Sequence, residues 1–324
     1  MQVNKGCFVI SLDFELLWGV FDLVNHKEKE EYFTNTKKVI PLILDSFAQY
    51  QIHATWAIVG MLFNSNWEEW NNNQPKVVPL YKNSSLSPYD FGNSISTLAT
   101  EDFVFAPELI QQIKGTEGQE IGTHTYSHYY CLEQGQTIEQ FAADLQKAID
   151  VACEMNINLK SLVFPRNQLR EEYLKICADM GIENVRSNPS SWYWQDTQSS
   201  SFLTKIGRSG DAYFPFGNKN YPLKELKKKK GIPLEQKAGR FLRPVEGNSF
   251  LRKLKLKRIM REMTMAAKKN EIYHLWWHPH NFGDHPTESL NDLKVILEHF
   301  DKLRSKFNFQ SANMEEIGGL QKST

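Results

Sequence analysis

The run CFVISLDFE at residues 7–15 carries aromatic and β-branched side chains up to two acids, Asp13 and Glu15. A short apolar run of this kind is a strand buried on both faces, as in a parallel sheet. Similar short runs recur outward from it: HATWAIVGML at 53–62, then 120–123, 161–164, 184–186, 271–277 and 308–311. Between them, apolar residues recur at helical spacing over 36–50, 107–113, 138–155, 170–180, 250–269 and 290–306. Strand and helix alternate, which predicts βαβ units and an α/β fold.

At 324 residues, length leaves one or two domains open, since single α/β barrels reach this size. With 41% hydrophobic residues, 20 Phe, 12 Tyr and 8 Trp, the chain has material for a large core and is not a disordered type. The 38 basic residues balance 38 acidic ones, which argues against a nucleic-acid coat. The balance is uneven in place: residues 224–270 hold 16 Lys/Arg against 4 acids, and the rest of the chain holds 22 against 34. That segment reads equally as a solvated basic face or as a surface for an anion. Residues 63–100 break the alternation with a polar stretch carrying Trp67, Trp70, Tyr81 and Tyr89, which reads as a lid, binding loop or flap. Cys7, Cys131, Cys153 and Cys177 form no CxxC, and Cys7 and Cys153 sit in apolar patterns that predict buried thiols. No window approaches ~18 uninterrupted apolar residues, and no signal peptide is read, so the expectation is a soluble, cytoplasmic protein.

Polar side chains gather at the carboxyl ends of the predicted strands, where barrel enzymes place their chemistry. Asp13 and Glu15, two apart in extended chain, point to one side. Either is a candidate metal ligand or proton acceptor. In GTHTYSHYY, His124 and His128 stand four apart; if the chain turns helically there, both rings share a face and suit one Zn²⁺. Arg166, after Pro165, is either a cation that keeps a catalytic carboxylate ionised or a surface charge. In IYHLWWHPHNFGDH, alternation puts His274, Trp276 and His278 on one side, and Pro279 leaves His278 at the strand mouth, well placed as a general acid. Trp276 and Trp277 read more readily as core. Trp18, Asn167, Trp277 and His280 complete the set as candidate substrate contacts.

Taken together, SLDFE, HTYSH, FPRNQ and HLWWHPHNFG resemble the polysaccharide deacetylases of the NodB-homology family, carbohydrate esterase family four, over roughly residues 7–312. The resemblance implies a single distorted (β/α)7 barrel spanning 1–324, a divalent metal, most readily Zn²⁺, and removal of an N-acetyl group from a sugar. It implies Asp13 as base, His124 and His128 as metal ligands, and His278 as acid, with His280 the alternative. Phe14 separates two acids that are usually adjacent; branches with an acid-x-acid motif point to Glu15 as the third ligand. Arg166 would orient Asp13. The aspartate that elsewhere supports the late histidine has only Asp211 as a candidate. The departures resemble branches that modify sugars for surface polysaccharides, so the implied partner is an acetylated sugar or oligosaccharide. With the basic segment, a nucleotide-linked or lipid-pyrophosphate-linked sugar, or contact with an anionic membrane surface, enters as an expectation. A glycosidase of a related barrel and a catalytically silent carbohydrate-binding relative are the alternatives.

Overall fold

A computed structural model describes residues 5–189, 219–247 and 249–322. The described strands are β1 (Cys7–Phe14), β2 (Ala54–Ile58), β3 (Gln119–Thr123), β4 (Ser161–Val163), β5 (Asn184–Ser187), β6 (Tyr221–Pro222), β7 (Leu234–Lys237), β8 (Arg240–Phe241), β9 (Glu271–Trp277) and β10 (Gln310–Ala312). Every residue of β1 is buried, as its apolar run requires. β1 lies at the centre, parallel to β9 on one side and to β10 and then β2 on the other. From β2 the parallel order runs through β3, β4 and β5 to β7. Residues 234–241 pair first with β5 and then with β9, joining the two ends of the sheet. This gives the curled (β/α)7-type barrel expected, with the short β6 antiparallel to β9.

The helices Glu30–Tyr50, Pro107–Gly115, Ile138–Glu154 and Pro286–Phe307 lay their apolar stripes on the outer face of the sheet. Two expectations are corrected. Residues 63–100 form no loose flap: they hold the helices Trp67–Asn72 and Pro88–Ile95, and Trp67, Trp70, Tyr81 and Tyr89 are all buried. Cys153 is exposed, because it lies on the outer side of its helix. The basic segment divides: Glu262 accepts from Arg240 (2.6 and 2.7 Å) and Arg258 (3.1 Å), and Asp292 pairs with Arg252 (2.6 Å) and Lys255 (3.3 Å), whereas lysines 227–230 are exposed.

A helix that the periodicity did not predict, Met314–Lys322, closes the amino end of the barrel. Its Met314 and Ile317 pack with Cys7, Val9, Leu234 and Ile272. Buried Glu120 of β3 accepts from Thr55 Oγ1 (2.6 Å) and from the Glu315 amide (3.0 Å), a carboxylate at a helix amino terminus. Lysines 227–230 enter β7 from this same end, opposite the strand ends that carry Asp13 and His278. No described helix is long and apolar enough to cross a membrane.

Candidate metal centre and active site

Asp13 is the penultimate residue of β1 and Glu15 follows the strand, both buried on the barrel's carboxyl side. Glu15 Oε2 lies 3.4 Å from His124 Nε2 and 3.2 Å from His128 Nε2. His124 extends β3, its backbone amide donating to Ile58 O (2.8 Å). Its Nδ1 is 2.8 Å from the Val163 carbonyl, which only accepts, so Nδ1 carries the proton and Nε2 is left bare. The chain does not turn helically between the two histidines. Thr125 (φ 63°) and His128 (φ 57°) are left-handed, and this turn brings the rings to 5.0 Å. Two such non-glycine residues cost on the order of 1–3 kcal/mol each, a strain found where geometry serves a site.

The three facing atoms fit a divalent ion. Glu15 Oε2 is buried without a hydrogen-bond partner, beside two imidazole nitrogens, and the three ligand atoms lie within 4.8 Å of one another. Two imidazoles and one carboxylate suit zinc and similar transition metals, with coordination positions left over for water and substrate. Burial pushes His128 down to about 4, so it is a neutral ligand at neutral pH. Burial also pushes the Glu15 carboxyl up, but the imidazoles of His278, His124 and His128 outweigh it and hold Glu15 well below the usual range.

Asp13 is gripped by Arg186, not by Arg166. Arg186 donates from Nη1 (2.7 Å) and Nη2 (2.6 Å) to the two carboxylate oxygens, its guanidinium 4.3 Å from the Trp276 ring centre. Against the upward push of burial, this cation lowers the Asp13 pKa. Arg186 also donates to Ser11 Oγ (3.0 Å), which lies 2.8 Å from Nε2 of fully buried His274. Arg166 instead pairs with Asp22 (2.6 Å) and covers the Tyr130 ring at 4.4 Å. The reason is local: Arg166 sits in a left-handed turn after β4, whereas Arg186 points inward from β5.

His278 Nε2 stands 3.6 Å from Asp13 and 3.8 Å from Glu15, with Nδ1 3.3 Å from Asn281 Oδ1. His280 stacks on it at 4.9 Å and turns its unpartnered Nδ1 toward Glu15 Oε1 at 3.6 Å. Asn167 accepts from Arg186 Nη2 at 3.2 Å, so it borders the cluster. Trp18 and Trp277 do not. Trp18 is sealed against Trp67 and Trp70 with Nε1 donating to Val104 O (2.8 Å), and Trp277 lies between Phe47 and Phe282. Both are fully buried core rings, Trp277 because strand alternation turns it away from His278. Asp211 lies outside the described residues.

A family model described as polysaccharide deacetylase matches residues 31–185, which include His124, His128 and Asn167 and stop one residue short of Arg186. No curated protein matches the chain. Among solved structures, a putative polysaccharide deacetylase from Mycobacterium smegmatis is similar at 12% identity and TM-score 0.63, over 100% of this chain and 92% of that one. A PuuE allantoinase is similar at 11% identity and TM-score 0.58, over 98% and 90%. A 4-alpha-glucanotransferase from Thermococcus litoralis is similar at 13% identity and TM-score 0.54, over 97% of this chain and 40% of its own. At such identities the likeness is one of fold.

Proposed function

We propose that this chain, which carries a polysaccharide deacetylase domain over residues 31–185, is a metal-dependent hydrolase that removes the N-acetyl group from a sugar. The observation that carries the reading is buried Glu15 Oε2, unpartnered and 3.4 and 3.2 Å from two histidine nitrogens. Glu15, His124 and His128 would hold a divalent ion, Zn²⁺ by donor type; such an ion supplies Lewis acidity at the amide carbonyl and a lowered pKa for water. Asp13, kept as a carboxylate by Arg186, takes the water proton. His278 Nε2, on the same side of the pocket, gives a proton to the departing sugar amine, a contribution of ~10²- to 10⁴-fold. Asn281 orients that ring through Nδ1, so Nε2 is the nitrogen that exchanges the proton.

The substrate of this reading is an acetylated sugar or oligosaccharide used in surface-polysaccharide synthesis. The position of lysines 227–230 at the amino end of the barrel separates them from the pocket, so a phosphate-linked sugar would need other contacts. Acetate release from N-acetylated sugar oligomers, with and without added zinc, tests the activity. Zinc-dependent release that is lost in His278→Ala supports the proposal. No release from a zinc-loaded protein that still binds the oligomers makes the silent binding relative the better account.

A further inference from the structure

Asp144 lies on the helix Ile138–Glu154 and is fully buried. Its carboxylate accepts from the Tyr126 amide (2.7 Å), from the Ser127 amide (3.3 and 3.2 Å to its two oxygens) and from Ser127 Oγ. These donors are the segment between His124 and His128. Among the described residues no cation pairs with Asp144, so a buried carboxylate is satisfied by loop donors alone. Burial pushes it up to about 6, which leaves it charged at neutral pH. The same segment is tied on its other side, where Gly60 and Met61 amides donate to the Thr125 and Tyr126 carbonyls (2.8 and 2.9 Å). A side chain at Gly60 would meet Tyr126 at 2.7 Å, so the two segments pack in close contact that only glycine allows at this position. The helix that carries Asp144 is itself fixed by a capping box between Thr137 and Gln140.

We infer that Asp144 is a positioning residue for the metal centre: by collecting the amides of Tyr126 and Ser127 it holds the left-handed turn that aims His124 and His128 at Glu15. This rests on the metal reading above and extends it to a residue that touches neither ion nor substrate. Without the acceptor, the inward N–H groups lose their partner and the two histidines lose their fixed separation. Partners of this outer kind are worth ~10- to 100-fold in metal affinity.

Zinc dissociation constants of the whole chain, measured near neutral pH by competition with a chromophoric chelator, test it. Asp144→Asn keeps the shape but turns an N–H₂ group toward N–H donors. It should bind zinc about 10- to 100-fold more weakly, with the far-UV circular dichroism of the metal-free protein unchanged. Ser127→Ala, which removes one donor, should show a smaller loss. Unchanged zinc affinity in a folded Asp144→Asn protein, with only a lower Tm, overturns the inference and leaves Asp144 a stabilising contact. If that variant does not fold, unchanged affinity in Ser127→Ala overturns it instead. A wild type that binds no zinc defeats the metal reading, and the inference falls with it; that outcome is told apart by being seen before any variant is compared.

Discussion

Arg186 and Arg166 show how single residues divide roles that look alike in the sequence. Arg186 makes two short bonds to Asp13, and Arg166 spends its charge on Asp22. Arg186→Ala therefore removes the strongest of the groups that hold the Asp13 carboxyl down against burial, ahead of His124 and His278, and its pKa should rise. The acid limb of the pH profile of kcat/KM should move to higher pH, with kcat/KM down by about 100-fold or more and stability down by about 3–5 kcal/mol for a broken buried pair. Arg166→Ala should leave that limb in place, because its guanidinium does not touch Asp13. Asp13, Glu15 and the HxxxH pair were legible because their spacings are local. Arg186 was not, since it meets Asp13 across 173 positions and only the closed sheet brings them together. Its one signal was a charge inside a short strand.

The insertion teaches the same lesson for elements. Its Asn and Ser residues, which suggested a loop, are helix caps: Asn66 accepts from the Glu69 amide (2.8 Å) and Ser87 from the Asp90 amide (3.1 Å). Its tryptophans, read as part of a lid, binding loop or flap, pack on Trp18, with the Trp18 and Trp70 rings stacked at 6.1 Å. Trp70→Ala should lower unfolding free energy by about 3–5 kcal/mol in urea titrations, while the KM for an oligosaccharide stays unchanged; a raised KM with unchanged stability would return this cluster to the binding surface. The alternation of strand and helix predicted most elements because amphipathic periodicity is local. Met314–Lys322 escaped because its burial depends on the barrel end it closes.

Over the whole molecule, the barrel separates a chemical end from a closed end. At the closed end, burial pushes Glu120 up to about 7 from an ordinary 4.5. A folded-state pKa raised in this way binds protons more tightly than the unfolded chain, so this stability is present at low pH and is lost as pH rises through about 7. Between pH ~5 and ~8, the difference in Tm between Glu120→Gln and wild type should therefore turn in favour of the variant as pH increases; a difference independent of pH would contradict the assignment. At the chemical end, the family resemblance and the curled (β/α)7-type barrel were both readable from four motifs at strand ends, because parallel strands carry those motifs to one face. The identity of the cation gripping Asp13 was the part that only packing could supply. Elemental analysis of the purified protein after zinc loading, beside His124→Ala, His128→Ala double-substituted protein, tests the central claim. The account predicts near-stoichiometric metal in the wild type and its loss in the double variant; metal-free wild type, or equal metal in both, would contradict it.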